Sequence, residues 1–207
     1  YIAYNRNKKS VTIDLKTEEG TEIMIKLLES CDIFLENLDP GIVDDLGLSY
    51  NAVSERNPKI IYVSIKGYLP GPYGNWPTVD AVIESLSGLT STTGEPEPFL
   101  DNIVGLTIGR IPLTGHAPLK LAQPSIPVSA ALHAVIGAVG ALLNRRRTRK
   151  GDKISVGTFE TGVSLVEQHI SAHALHGTLG KHALNLRKTK DGWAMIRATR
   201  WDQFCKS

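Results

Sequence analysis

A chain of 207 residues, 42% hydrophobic and 21% charged, has the composition of a soluble globular protein and the length to bury one substantial core. Its formal net charge of +2 is too small to point to nucleic acid or an anionic membrane surface as a partner. Two cysteines, Cys31 and Cys205, build no disulfide framework and fit a reducing cytoplasm, the expected location. The chain begins at Tyr1 rather than Met and stops at Ser207 inside what reads as an opening helix, so the expectation is a fragment.

Ser10-Val-Thr-Ile-Asp-Leu15 alternates apolar and polar with β-branched residues, which predicts a strand. Met24, Leu27, Leu28 and Cys31 then follow at i, i+3, i+4, i+7, a helix stripe with Thr17 as N-cap and Cys31 in the core. Ile33-Phe-Leu-Glu36 reads as a short strand, and Asn37-Leu-Asp-Pro-Gly41 is turn chemistry. A helix over Tyr50 to Arg56 ends at Asn57-Pro58, and Ile60-Ile-Tyr-Val-Ser-Ile65 has the near-continuous apolarity of a strand inside a parallel sheet. Residues 67–78 read as a Gly/Pro loop and 78–87 as a helix capped by Thr78. Residues 88–126 are long, proline-rich and aperiodic. Val128, Leu132, Val135, Ile136, Val139, Leu142 and Leu143 form the strongest helical stripe. Lys153-Ile-Ser-Val156 predicts another strand, Glu160 to Leu179 one long helix, and Trp193-Ala-Met-Ile196 a strand that opens a second domain. The series is βαβ, an α/β fold: a Rossmann-like doubly wound parallel sheet over 1–180 and the start of a smaller domain over 181–207.

Three features have bland readings. Ile126 to Leu143 runs into Arg145-Arg-Arg147 like a membrane span, but at about 18 residues, broken by Ser129 and His133, it is expected to pack inside as a core helix. The Arg145–Lys150 basic run reads as a helix C-terminus stopped by Gly151, with no aromatic interleaving for RNA. His169, His173 and His176 share a helix face, but Ile170 stands where a zinc protease needs Glu, so no metal is expected. No G-x-G-x-x-G or Walker sequence follows a strand.

Several segments in order resemble CoA transferase family III, which includes formyl-CoA and carnitine CoA transferases and the α-methylacyl-CoA racemases. They are Asn5-Arg-Asn-Lys-Lys-Ser-Val-Thr-Ile-Asp-Leu-Lys16, Glu36-Asn-Leu-Asp-Pro-Gly41, Asn57-Pro-Lys-Ile-Ile-Tyr-Val-Ser-Ile-Lys-Gly-Tyr68, Ser87-Gly88, Ala141-Leu-Leu-Asn-Arg145, Lys150-Gly-Asp-Lys-Ile-Ser155 and Asp191-Gly-Trp193. The resemblance implies a large CoA-binding domain, a smaller second domain and a homodimer of interlocked chains, with acyl-CoA and a carboxylic acid as substrates. It carries the coenzyme A contacts onto Ile13, Leu15 and Lys16 after the first strand and Asn37 and Leu38 after the next, residues that also read simply as strand-end and turn positions. Apolar side chains can sandwich adenine, Lys16 can meet a phosphate, and the Asn37 turn can offer backbone N–H groups. A basic residue common in the family just after that turn falls on Asp45, which weakens the phosphate site.

Transferases of the family use an Asp nucleophile that forms a mixed anhydride and then an enzyme thioester. Counting back from Ala141 without gaps puts that position at Pro127, and no carboxylate lies between Asn102 and Arg149. Asp101, in an apparent insertion, is the nearest substitute. The racemase branch takes a proton with His followed by Asp; here Val79 precedes Asp80, so Asp80 is left to orient substrate or to serve the helix start. Two readings stand: a CoA transferase, or a catalytically silent CoA-binding domain that supports an intact domain or partner.

Overall fold

The computed structural model describes residues 4–92, 120–121, 123–176, 185–188, 190 and 193–196. Two compact units divide the chain, 1–166 and 167–207.

In the first unit, β1 (Ile33–Glu36), β2 (Ile61–Lys66) and β3 (Asp152–Gly157) form a parallel sheet in the order β1-β2-β3. Glu36 stands opposite Ser64, and Ser64 opposite Ser155. Helices cover both faces, so this is an α/β fold. The central strand shows why its sequence is nearly all apolar: Ile61, Tyr62 and Val63 are buried, and both neighbours are strands.

One face meets α1 (Glu18–Glu29) and α3 (Tyr50–Arg56): Leu28, Leu48, Val53, Ile60 and Tyr62 form its core, with Phe34 and Tyr50 edge-on to the Tyr62 ring. Thr17 and Ser49 cap the two helices, accepting the N–H of Gly20 (3.1 Å) and Ala52 (3.3 Å). The short α2 (Ile42–Asp45) starts at Gly41, whose φ of +89° suits glycine.

The other face meets α6 (Ser125–Thr148), which follows α4 (Asp80–Leu86) and α5 (Leu89–Thr92). Here the expectation of a buried aliphatic stripe is overturned. Ala130, Ala134, Ala138 and Ala141 lie on Ile61, Val63 and Val156 with Leu142 packed beside them, whereas the other members of the stripe are exposed, from 41% at Val128 to 71% at Ile136. Close approach is the reason: alanines spaced three or four apart, with Gly137 against Ile154, let the helix backbone settle onto the strands, and most of the larger side chains of the stripe then point away. Among the described residues α6 is also the one helix long and apolar enough to cross a membrane. Its C-terminal end is tied to the sheet by Arg145, which donates to Lys59 O (2.9 Å) and Asp32 Oδ1 (2.7 Å).

Other local expectations also change. Among the described residues no strand pairs with 10–15; Asp14 instead closes a turn, its carboxylate accepting the Lys16 N–H (3.0 Å) and its carbonyl the Thr17 hydroxyl (2.9 Å). Cys31 is an exposed free thiol, because α1 stops at Glu29 before the stripe reaches it. Val79, not Thr78, occupies the N-cap of α4. Arg149, at φ +60°, ends α6, and Gly151 is needed for a different reason: a Cβ there would sit 2.0 Å from the Ile60 carbonyl. The long helix from Glu160 is two helices, α7 (Thr158–Leu165) and α8 (Glu167–His176), separated at Val166.

The second unit holds α8 and an antiparallel pair, β4 (Asn185–Lys188) with β5 (Trp193–Ile196). β5 falls where the sequence predicts it.

Candidate functional site

The carboxyl ends of parallel strands are where α/β sheets present loops to ligands. Here that edge is made by the Asn37–Gly41 turn after β1, the 67–78 loop after β2 and the start of α7 after β3. The loop is fastened to α7: Gly67 O accepts from Phe159 N (2.9 Å) and Thr158 Oγ1 (3.1 Å), and Glu160 Oε1 accepts from Leu69 N (3.1 Å).

Alternation along parallel strands puts Tyr62, Ser64 and Lys66 on one face, beside Phe34 and Glu36 of β1 and Lys153 and Ser155 of β3. That face is aromatic toward the amino ends and polar toward the carboxyl ends. Over its polar half lies a cleft of about 410 Å³ whose lining includes Glu36, Gly41, Ser64, Lys66, Asn75 and Ser155. Glu36 is 5% exposed, and each of its oxygens is used. Oε1 accepts the Ser64 hydroxyl; Oε2 accepts from Lys66 Nζ (2.8 Å) and from the Leu38 N–H (3.0 Å). Lys66 Nζ also donates to Leu38 O (2.6 Å). Deeper in the same cleft the Tyr62 hydroxyl donates to Leu48 O (3.0 Å), and burial, then the Glu36 and Asp44 charges, push its pKa well above the usual phenol value.

Leu15 and Lys16 line a second, larger cleft of about 790 Å³ between α1 and α3. Carboxylates dominate it: Glu18, Glu22, Asp45 and Glu55 stand against Lys16 and Arg56. Lys26 bonds Glu22 (2.9 Å) and holds its carboxyl below the ordinary range. Leu15 packs partly into the core beside Phe34 and Leu46, and its carbonyl accepts from Thr21 Oγ1 (3.2 Å), while Lys16 is exposed. Ile13 is half-buried; Asn37 and Leu38 are exposed. Of the five residues of the coenzyme A expectation, Leu15 and Lys16 line this cleft, while Ile13, Asn37 and Leu38 line neither cleft. Within the Asn37 turn, the Leu38 N–H is donated to Glu36.

Asp80 begins α4 and is exposed, an acid at the positive end of a helix. Asp101 lies outside the described residues. Pro127 is the third residue of α6, where a missing N–H costs nothing, and it is half-buried. Glu84, on α4 and 1% exposed, has no hydrogen-bond partner on either carboxylate oxygen among the described residues; Glu160 Oε2 and Thr78 Oγ1 are likewise buried without one among them.

The Glu36, Ser64 and Lys66 grouping escaped the sequence reading. Each ends or nearly ends a strand, a visible signal, but their meeting depends on the register that sets Glu36 against Ser64, which no spacing within one strand reveals.

A family model described as CoA-transferase family III matches residues 1–207. The formyl-CoA:oxalate CoA-transferases of Afipia carboxidovorans and Rhodopseudomonas palustris are 32% and 33% identical to this chain over 185 and 186 residues. Each match covers 88% of this chain and 39% of the relative, so the chain spans well under half of those proteins. The crystal structure of a CAIB/BAIF family protein from Brucella suis is similar with a TM-score of 0.78 and 27% identity, over 96% of this chain and 50% of that one.

Proposed function

The chain belongs to CoA-transferase family III, and from that premise we propose that it is the coenzyme A-binding part of an enzyme that moves CoA between an acyl-CoA thioester and a carboxylic acid. The observation that carries this reading is a full-length family match combined with a polar, loop-lined edge at the carboxyl ends of a parallel sheet. The nucleotide end of CoA lies by Ile13, Leu15 and Lys16, and the Asn37–Leu38 turn flanks it, with the pantetheine arm running toward the loop after β2. Lys16, exposed, supplies the phosphate charge, working against the surrounding carboxylates. The complete protein is a cytoplasmic homodimer of interlocked chains with a smaller second domain that starts over 181–207. The apolar α6 belongs to the sheet, not to a membrane, which its alanine contacts support.

Raising CoA with the full-length protein should raise its thermal midpoint, and Lys16→Ala should weaken CoA binding several-fold, an effect that salt also diminishes. No measurable CoA affinity would end this reading.

Pro127 favours a second reading, in which this segment binds CoA but does no chemistry and an intact domain or partner supplies the nucleophile. The transferase mechanism requires a carboxylate oxygen to attack the thioester carbonyl and expel CoA thiolate, and proline has no such atom. Asp101 is the remaining carboxylate proposed for that role, and Asp80 is proposed to orient substrate. Incubation with acyl-CoA followed by mass spectrometry separates the readings: an acyl or CoA adduct within this segment makes it catalytic, and its absence in a protein that binds CoA makes it silent.

A further inference from the structure

We propose that Glu36 and Lys66 form a positioning pair that holds Leu38 by both of its backbone polar groups and so sets the turn after β1 for CoA. The inference rests on the CoA-binding reading above and adds to it two residues that do not themselves touch the ligand.

The geometry is closed at every atom. Glu36 Oε2 takes the Leu38 N–H at 3.0 Å, Lys66 Nζ gives to the Leu38 carbonyl at 2.6 Å, and the two side chains bond each other at 2.8 Å. Ser64 fixes the remaining carboxylate oxygen of Glu36 from below. The Leu38 N–H and C=O belong to the two successive peptide units on either side of its Cα, so with each held by a charged side chain neither unit can rotate without breaking a charge-assisted bond. Packing alone does not do this work: Leu38 is 40% exposed, and residues 37–39 lie in neither helix nor strand. The pair itself is well shielded, with 3% of the Glu36 side chain and 19% of the Lys66 side chain exposed. An ion pair so placed is costly to desolvate and adds little stability beyond what apolar residues of that size would give. Its distinguishing contribution is therefore to fix one conformation of the turn before ligand arrives, which removes an ordering cost from binding. It also explains why a lysine ends a strand whose other residues are almost all apolar or small: only a long cation at 66 reaches across β1 to the carbonyl at 38.

The test uses the full-length protein. The double variant Glu36→Gln/Lys66→Met removes both charges at nearly constant volume, leaving no uncompensated buried ion. Its thermal midpoint should stay within a few degrees of the parent, while CoA affinity falls on the order of tenfold. In the parent protein without ligand, hydrogen exchange at the Leu38 amide should be slowed at least about a hundredfold relative to an unstructured chain, despite its exposed position. A folded double variant that binds CoA like the parent overturns the proposal, as does an unprotected Leu38 amide; the exchange measurement decides the matter if the variant does not fold. Lys16→Ala separates the two levels of inference. If the parent binds CoA and Lys16→Ala weakens it while the double variant does not, the positioning role fails and the functional reading stands. If the parent binds no CoA, the functional reading fails first.

Discussion

The two faces of the three-stranded sheet are built from alternate residues of the same strands and have opposite characters. Ile61, Val63, Ile154 and Val156 meet a helix that brings mostly methyl groups, so the interface is thin and apolar. On the reverse face Phe34 and Tyr62 are packed, but Glu36, Ser64, Lys66 and Ser155 are left over an open cleft. Burial on one side secures the strands, which frees the carboxyl half of the other side for charged groups that a covered sheet would not tolerate. The contrast is most easily broken at Ala134, 1% exposed on the thin face. Ala134→Leu must push α6 off the strands, and urea unfolding should report a loss of about 3 kcal/mol. A loss under about 1 kcal/mol would mean that the helix can lift and that close approach is not what selects alanine there.

The polar groups of the open face are satisfied through their network; Glu84 marks what happens where they are not. It is as buried as the core aliphatics, yet neither oxygen finds a partner among the described residues. Glu84→Met keeps the length and removes the unsatisfied group, so stability should rise by about 2 kcal/mol in denaturant unfolding. A fall instead would show that the carboxylate is bonded in the folded protein, and the difference between a satisfied and an unsatisfied polar region would disappear.

Strand and helix identities were largely legible because they depend on local period. β1, β2, β3 and β5 fall where alternation and apolar runs put them, and α1 and α3 start at their capping Thr17 and Ser49. What failed were inferences that needed a neighbour. The α6 stripe was read by hydrophobic size, but the sheet selects by closeness of approach, so alanines won. Residues 10–15 have the pattern of a strand but find no strand to pair with among the described residues, and Asp14 turns the chain locally. At the candidate site, Lys16 and Asn37 could be named from resemblance, whereas the clamp on Leu38 could not: it joins side chains 30 residues apart through a register that neither strand encodes alone.

Tyr62 sits at the boundary between the packed and the polar halves of the open face, and it sharpens where that boundary lies. Its hydroxyl bond to Leu48 O is deep in the cleft, so Tyr62→Phe should cost about 1 kcal/mol. The folded protein holds the phenol proton more tightly than the unfolded chain, whose phenol titrates near 10.0. Stability from this group is therefore complete below that pH and declines as pH rises past it, since only the unfolded chain then releases the proton. Unfolding free energy followed from pH 8 to about 11 should fall less steeply in the Phe variant than in the parent. Equal slopes would place the Tyr62 hydroxyl in solvent and move the boundary toward the amino ends of the strands.

The smallest expected effect tests the outer side of the same helix that closes the thin face. Ile136 lies two residues from both Ala134 and Ala138 yet is 71% exposed, against 1% and 7% for those alanines. If size decided burial, it would be the costlier residue to replace; if approach decides, it should be nearly free to change. Ile136→Gln should alter the unfolding free energy by no more than about 0.5 kcal/mol, because an exposed side chain leaves no cavity and strands no polar group. Set beside Ala134→Leu, that outcome would separate position from hydrophobicity within a single turn of helix. A loss of about 2 kcal/mol or more would instead mean that the aliphatic side is covered in the folded protein, and α6 would then be a helix buried on two sides rather than one.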